Sequence, residues 1–439
     1  MTKKASYITL GCKLNYAETS TYERGFIKDG YESVPWTEKA DLYVINTCSV
    51  TEHADSKSRN IIRKIHRTAP DASIIVTGCY AQLKRPEVEA IEGVSLVFGA
   101  DEKGSLVKNT LEFIRGREGL QDNADDLRKV STGVNDSITF AAYSSGEERT
   151  RSFLKVQDGC DNFCAYCTVP YARGRSRSIS IATAVEEASK IAAAGVKEIV
   201  LTGVNTGDFG RKSGESFLDL LKALNDVEGI ERYRISSIEP NLLTDDIVDW
   251  IASGTKFQPH FHIPLQSGSD TLLRDVGRKY TTEFFASKID YIRKKMNPRP
   301  GEVNADGTRK PDVFFGIDVI VGLPGETDEL FLETYNFLKD SVRPAFIHIF
   351  PYSRRPGTRS AARKDQVQDC LKTKRVEMLE ELCRSLNEEF IASQKGVRER
   401  VLFEEDNHNG IMSGYTGNYI KVERPWDASV AGTIQEVTL

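Results

Sequence analysis

The chain has 439 residues, a formal net charge of −5, 39% hydrophobic and 28% charged residues, the proportions of a folded globular protein with room for two or three domains. The slight acidity does not by itself suggest a nucleic-acid partner, so any RNA contact has to come from local patches. No apolar run reaches the length of a membrane span, and Met1-Thr2-Lys3-Lys4-Ala5 lacks the apolar core of a signal peptide; both point to the cytoplasm, where eight cysteines argue for metal or redox chemistry over disulfides.

Residues 1–100 repeat one unit. Three short apolar runs, Ser6-Tyr7-Ile8-Thr9-Leu10, Leu42-Tyr43-Val44-Ile45-Asn46-Thr47 and Ser73-Ile74-Ile75-Val76-Thr77, read as buried parallel strands. Helical patterns near 16–29 and 52–68 separate them, and Pro86 starts a third helix. Strand–helix alternation predicts a doubly wound parallel sheet. Each strand is followed within one or two residues by a cysteine: Cys12, Cys48 and Cys79. The carboxyl ends of parallel strands share one edge, so three cysteines far apart in sequence converge. Singly each reads as a small buried hydrophobe; the same placement three times favours a three-thiolate cluster site.

Residues 101–150 are polar, with Asp122, Asp125, Asp126, Glu147 and Glu148, and read as a partly ordered linker in which Ser137–Phe140 forms a strand. From 151 to 372 strands and helices alternate again. Strands are predicted at 152–156, 198–201, 232–236, 259–263, 313–321 and 345–350, with helices near 182–194, 216–225, 244–252, 282–295 and 328–340. This repeated unit suits a full or partial barrel with its chemistry at the strand carboxyl ends. The 296–312 stretch reads as a surface insertion.

After the first of these strands comes Gly159-Cys160-Asp161-Asn162-Phe163-Cys164-Ala165-Tyr166-Cys167. Three thiolates on one short loop suit three irons of a cubane cluster, leaving the fourth iron open. A zinc site usually has a fourth ligand, and no paired CxxC or HxxxH lies nearby. Arg173, Arg175 and Arg177 follow, alternating with small residues. They are either donors for an anionic substrate or a solvated loop, and their place beside the cysteines favours the former. Cys370 and Cys383 fall on a helix over 365–394 and are structural or incidental. Three strand-like runs between 400 and 437 predict a small all-β barrel. Its acidic residues outnumber Arg398, Arg400, Lys421 and Arg424, which argues against strong phosphate binding. Tyr415, Tyr419 and Trp426 either stack bases or pack the barrel.

The loop at 160–167 resembles the radical S-adenosylmethionine (SAM) signature. Combined with the three-cysteine first domain and Gly11-Cys12-Lys13-Leu14-Asn15, the chain is similar to the methylthiotransferase family along nearly its whole length. The resemblance implies a partial (β/α)6 barrel open on one side and a C-terminal TRAM-like RNA-binding module over 373–439, after its linking helix. It implies two [4Fe–4S] clusters, held by Cys160, Cys164 and Cys167 and by Cys12, Cys48 and Cys79, with SAM on the first. An electron reduces SAM to a 5′-deoxyadenosyl radical, which removes the hydrogen at adenine carbon 2 so that a methylthio group is inserted there. SAM contacts are implied at Tyr166, at Gly203 and Asn205, at Ser237 and Glu239, at Gln266 in Phe261-His262-Ile263-Pro264-Leu265-Gln266-Ser267-Gly268-Ser269, and at Gly322 in Asp318-Val319-Ile320-Val321-Gly322-Leu323-Pro324-Gly325-Glu326. Lys13 and Asn15 are either cluster or substrate contacts or the polar residues of a helix start.

The motifs around Cys12 and Arg173 look most like the branch acting on N6-threonylcarbamoyladenosine (t6A) beside the tRNA anticodon. The other branches act on N6-isopentenyladenosine in tRNA or on an aspartate of a ribosomal protein. A tRNA anticodon loop, a flavodoxin- or ferredoxin-type electron donor and a sulfur source are the expected partners of a monomer. The rival readings are an RNA-binding protein with structural clusters and a protein-modifying radical enzyme.

Overall fold

The computed structural model describes residues 2–119, 142–144, 150–297 and 311–439. The predicted strand at 137–140 and nearly all of the 296–312 insertion lie outside the described residues.

The first domain is a parallel sheet of five strands: β1 (Lys4–Thr9), β2 (Glu32–Ser33), β3 (Leu42–Thr47), β4 (Ser73–Gly78) and β5 (Val94–Phe98), in the order β2-β1-β3-β4-β5. Helices α1 (Lys13–Lys28), α2 (Glu52–Thr68), α3 (Cys79–Leu83), α4 (Arg85–Glu89) and α5 (Leu106–Gly119) accompany it. β3 and β4 are buried along their whole length, as their unbroken apolar runs require. Ile45, Ile74 and Val76 pack with Ile62 and Ile65 of α2 in one core, while Leu42, Val44 and Ile75 meet Tyr22 and Phe26 of α1 in another. That second core also takes Leu106 and Phe113 of α5. The first domain therefore runs past residue 100 into what the polar composition suggested was linker. The order reverses between β1 and β3, so the crevice beyond their carboxyl ends is the switch point where ligands bind in such sheets. Cys12 and Cys48 follow these two strands.

The central domain begins with β6 (Ala142–Tyr143) antiparallel to β7 (Arg151–Lys155). A short pair, β8 (Gln157–Asp158) and β9 (Arg177–Ser178), flanks the Cys160 loop and the helix α6 (Val169–Arg173). The parallel strands β7, β10 (Glu198–Thr202) and β11 (Arg232–Ile235) pair in sequence neighbour order, as do β12 (His260–Gln266), β13 (Phe314–Val321) and β14 (Phe346–Pro351). Bridges Tyr233–Phe257 and Ser237–His262 join the two halves. Six parallel strands thus curve into a partial barrel. Helices α7 (Ile181–Ala193), α8 (Phe217–Asn225), α9 (Asp245–Ala252), α10 (Asp270–Val276), α11 (Thr282–Met296) and α12 (Asp328–Asn336) alternate with the strands, and α13 (Arg359–Ala362) follows β14.

The first domain is tied to both sides of this barrel. α1 packs along β6 and β7, and Arg355, beyond β14, donates to Ser49 Oγ and Asp55 Oδ2, each at 2.8 Å. Long α14 (Asp369–Ser393) lies on β14, with the Ile347 N–H donating to the Cys383 sulfur at 3.2 Å, so Cys383 is structural. The C-terminal strands β15 (Arg398–Phe403), β16 (Ile411–Tyr415), β17 (Lys421–Pro425) and β18 (Ile434–Thr438) form an antiparallel sheet in the order β17-β16-β15-β18. The expected barrel is thus an open four-stranded sheet with β17 and β18 at its edges. Its 415–419 turn plugs the amino-terminal end of the central barrel. Buried Arg234 bonds Glu198 Oε1 at 2.7 Å and the carbonyls of Thr416 and Gly417 at 2.7 and 2.8 Å. Among the described residues no helix is long and apolar enough to cross a membrane.

Candidate active site between two cysteine sets

The Cys160 loop is fixed by its own backbone. Gly159 has φ +70°, and a Cβ there would come 2.1 Å from the Arg175 carbonyl oxygen, so only glycine lets the loop close. The Cys160 N–H donates to Gly174 O at 3.1 Å. Each of the three sulfurs then receives a donor: Asn162 N–H to Cys160 at 3.5 Å, Arg278 Nη1 to Cys164 at 3.4 Å, and Val169 N–H to Cys167 at 3.4 Å. Burial pushes the Cys160 and Cys167 thiols up to about 11 and about 12. Such thiols are inert as nucleophiles at neutral pH. Three grouped sulfurs, each met by an N–H, need a metal's charge to ionise and suit an iron–sulfur cluster.

The second set forms at the sheet edge. Cys12 precedes α1, Cys48 follows β3, and Cys79 opens α3. A side chain on Gly11, whose φ is +110°, would strike Cys48 Cβ at 2.8 Å and Sγ at 3.0 Å. The three thiols also feel one another: burial first, then Cys79 and Cys12, push Cys48 up to about 11. Cys79 is raised by burial and relieved by Arg173 and Lys103. The residues fit a second three-thiolate site.

Elements that carry the two sets pack together. α3, which opens with Cys79, packs on α6, which follows Cys167. A cavity of about 380 Å³ is lined on one side by Val50 and Thr51, just past Cys48, and on the other by Tyr166, Cys167, Gln266, Asp318, Ile320 and Phe350. Beneath the junction lies a buried charge network. Glu18 of α1 bonds Lys103 and Lys155 at 2.7 Å and Arg173 at 3.2 Å, while Asp158 takes Lys155 at 2.8 Å and Arg173 at 2.9 Å. The surrounding cations hold both carboxyls well below the usual range against the opposing cost of burial. Glu18→Ala leaves three cations facing Asp158 and is expected to lower stability by about 3–5 kcal/mol, read as a drop in Tm of anaerobically prepared protein. Because both folded pKa values are depressed, this stabilisation is complete above roughly pH 4.5 and is lost as pH falls below it. Wild-type protein therefore unfolds more readily in acid.

This network changes the reading of the arginine run. Arg173 is 2% exposed and also donates to Asn15 Oδ1; it is a structural tie behind the second cysteine set, not a phosphate donor. Arg177 is turned inward, donating to Arg173 O at 2.6 Å. Arg175 remains exposed, over the Phe163 ring at 4.6 Å. Asn15, ambiguous in sequence, braces the cleft by donating to Leu10 O and Thr47 O at 2.8 and 3.0 Å.

Of the expected SAM contacts, Tyr166 donates its hydroxyl to Gln266 Oε1 at 2.8 Å, and both line the cavity. Gln266 has φ +69°, a strained backbone at the end of β12. Glu239 accepts from Asn162 Nδ2 at 2.8 Å and pairs with Arg278 at 3.0 Å, which joins it to the Cys160 loop. The Asn205 N–H donates to Gln157 Oε1 at 2.9 Å, while its buried side-chain oxygen has no partner among the described residues. Gly203 packs against Gln157 and Thr206. The Ser237 carbonyl accepts from Thr206 at 2.9 Å. Gly322 donates its N–H to Glu326 Oε1 at 2.8 Å, and the space a side chain there would need is filled by Lys372. Glu326 is in turn bonded by Arg375 of α14 at 2.7 Å. Tyr419 stacks on Tyr415 at 4.9 Å and accepts from Arg151 at 3.2 Å, while Trp426 packs on the core of its own sheet.

Sequence reasoning gave no place to Arg278 or to the grouping of His262 with Asp318 and His348. Arg278 reaches Cys164. His262, Asp318 and His348, on the adjacent strands β12, β13 and β14, bring their donor atoms within 4.8 Å of one another. His262 Nε2 lies 2.5 Å from Asp318 Oδ1, and its ring stacks on His348 at 4.6 Å. Burial lowers His348 to about 4, so it is neutral at physiological pH.

The Uncharacterized protein family UPF0004 model matches residues 4–99, and the Radical SAM superfamily model matches residues 154–338. The chain is 38% identical over 445 residues to the threonylcarbamoyladenosine tRNA methylthiotransferase MtaB of Bacillus subtilis (strain 168), covering 99% of this chain and 93% of that protein. It is 31% identical to the tRNA-2-methylthio-N(6)-dimethylallyladenosine synthase of Lawsonia intracellularis (strain PHE/MN1-00), covering 98% and 95%. Among solved structures, the radical S-adenosylmethionine methyltransferase TsrM from Kitasatospora setae, with tryptophan substrate and aza-SAM bound, aligns with a TM-score of 0.56 at 15% identity. That alignment covers 82% of this chain and 75% of that one, a likeness of fold.

Proposed function

The chain belongs to the radical SAM methylthiotransferases, and from that membership we propose that it converts t6A beside the tRNA anticodon to its 2-methylthio derivative. The higher identity to a relative named for threonylcarbamoyladenosine than to one named for dimethylallyladenosine supports this substrate. The observation that carries the chemistry is the cavity walled by residues next to Cys48 on one side and by Cys167 and Tyr166 on the other. A base held there meets both cysteine sets at once.

Cys160, Cys164 and Cys167 would hold one [4Fe–4S] cluster with SAM, and Cys12, Cys48 and Cys79 a second. Such clusters would supply the electron for reductive cleavage of SAM and the sulfur for insertion, respectively. The protein's own part is placement. Tyr166 and Gln266, bonded to each other, form the wall against the cofactor. Asn205 offers an unpartnered buried oxygen to an N–H donor such as the SAM amino group, with Gly203 keeping the backbone close. Glu239 orders the cysteine loop through Asn162, and Ser237 and Gly322 shape the strand ends around it. Arg175, exposed beside the loop, contacts RNA phosphate. The C-terminal sheet is a TRAM-like module that guides the tRNA, although its acidity leaves most of the charge attraction to other surfaces. The base is flipped from its loop to enter the cavity. A flavodoxin- or ferredoxin-type donor and a sulfur source complete the turnover, in the cytoplasm where the tRNA is.

The test is nucleoside mass spectrometry of tRNA from a strain lacking this chain. The methylthio derivative of t6A disappears and returns on complementation. Persistence of that nucleoside, with loss of the methylthio isopentenyl one instead, overturns the substrate assignment.

A further inference from the structure

We infer that the outer face of α2 holds the RNA backbone, taking phosphates of the anticodon stem while the modified base enters the cavity. The inference rests on the tRNA reading above but not on which modified adenosine is bound. The sequence of α2 sets this face. The helix buries Asp55, Ser58, Ile62 and Ile65. At 3.6 residues per turn, Lys57, Asn60, Lys64 and Arg67 then share the opposite side, with Arg63 beside them. All five are exposed. From Lys57 to Arg67 the face runs about 15 Å.

The four cations are unpaired. The acids of the first turn, Glu52 and Asp55, are taken by other partners. Glu52 meets Arg59 at 3.5 Å, and Asp55 meets Lys84 at 3.3 Å and Arg355 at 2.8 Å. Among the described residues Lys57, Arg63, Lys64 and Arg67 form no ion pair. Lys64 lies over the Trp36 ring at 4.6 Å, which holds the ammonium in place without neutralising it. On the C-terminal sheet the reverse is true. Arg398 pairs with Glu436, Arg400 with Glu231, Lys421 with Glu423 at 2.6 Å and Arg424 with Asp427 at 3.9 Å. A paired cation has to leave its acid to meet a phosphate; the cations of α2 only exchange solvent for one, and the RNA releases its counter-ions. In a chain of net charge −5, α2 is thus a local patch of the kind that RNA binding needs.

The helix also starts in the right place. Val50, 57% exposed, and Thr51, the N-cap of α2, line the cavity wall. The Glu52 N–H donates to Ser353 Oγ at 3.4 Å, and Arg355 reaches Glu52 at 3.4 Å, both from the facing wall. Because β3 and β4 are parallel, α2 has to run back from their carboxyl edge, away from the cysteines. A base held in the cavity leaves its stem outside, and a stem leading from that point follows the helix. Phosphates recur about every 3.4 Å along a duplex strand, so this face spans several of them. Such contacts fix position and affinity and carry no choice of base.

The experiment measures binding of anticodon stem-loop RNA to reconstituted full-length protein over a range of salt concentrations. The triple variant Lys57→Gln, Lys64→Gln, Arg67→Gln is expected to bind roughly tenfold or more weakly at low salt. Its plot of log affinity against log salt is expected to be shallower by roughly two to three units. Iron content stays as in wild type, which shows that the first domain is intact. A loop-only RNA without the stem is expected to bind wild type and variant alike. The same exchange at Lys421 and Arg424 is expected to change the slope less per cation. A triple variant with the wild-type slope overturns the inference, as does a larger loss per cation on the C-terminal sheet or an equal loss on loop-only RNA. The slope is read on t6A and isopentenyladenosine stem-loops, whose phosphates are the same. A wild-type protein that thiomethylates only the isopentenyl RNA, with the slope change as expected, overturns the t6A assignment and supports the α2 surface.

Discussion

Replacing Cys160 by alanine is expected to abolish cleavage of SAM while leaving the fold in place. Anaerobic incubation with SAM and a strong reductant will yield 5′-deoxyadenosine at background level only. The loop's shape does not depend on the sulfur. It is set by the positive φ of Gly159, by the Cys160 N–H bond to Gly174 O and by Arg278, which reaches Cys164 and Glu239 from outside the loop. Alanine keeps that backbone bond. The side chain it removes is only partly buried, so the cavity left is small and Tm moves little. What is lost is one of three thiolates, without which the metal site on this loop is incomplete. Deoxyadenosine formation at the wild-type rate sinks the assignment of this loop.

Much of this site was legible because its determinants are local. The C-x3-C-x2-C spacing, the glycine before it and the aromatic before the last cysteine lie within nine consecutive residues. The six barrel strands were legible too, since strands buried on both faces leave long apolar runs. The convergence of Cys12, Cys48 and Cys79 needed one further step, the rule that parallel strands share a carboxyl edge. The charged residues were not legible in the same way. Arg173, Arg175 and Arg177 alternate in sequence, but their fates are set by distant partners. Glu18, 155 positions away, and Asp158 draw Arg173 inward, while the Arg175 side chain meets a nearby ring and Asp161. Likewise His262, Asp318 and His348 are unremarkable singly, and acquire meaning only when the pairing of β13 sets Asp318 opposite His348 and two residues beyond the partner of His262. The α5 helix was hidden for a different reason: it opens a stretch whose composition is polar overall, although Leu106 and Phe113 sit in the core with Val107, Leu111 and Ile114 packed against it.

Replacing Cys48 by alanine is expected to separate the two halves of the reaction. SAM cleavage continues at a rate close to wild type, and thiomethylation of t6A RNA stops. Cys48 belongs to the first domain, and nothing it touches holds the Cys160 loop, whose donors come from Asn162, Val169 and Arg278. The domain junction also survives, because the Glu18 and Arg355 ties on either side of the cleft do not pass through the sulfur. Position 48 does set one wall of the cavity through Val50 and Thr51, so binding of RNA to the variant serves as the control that this wall is intact. With RNA bound, deoxyadenosine formed and no methylthio nucleoside by mass spectrometry, the missing function is delivery of sulfur, and the iron content falls by the share of one cluster. A variant that still thiomethylates fully removes the second cysteine set from the chemistry. The same residues then have to be read as a packed sheet edge, with Gly11 pressed on Cys48 for shape alone.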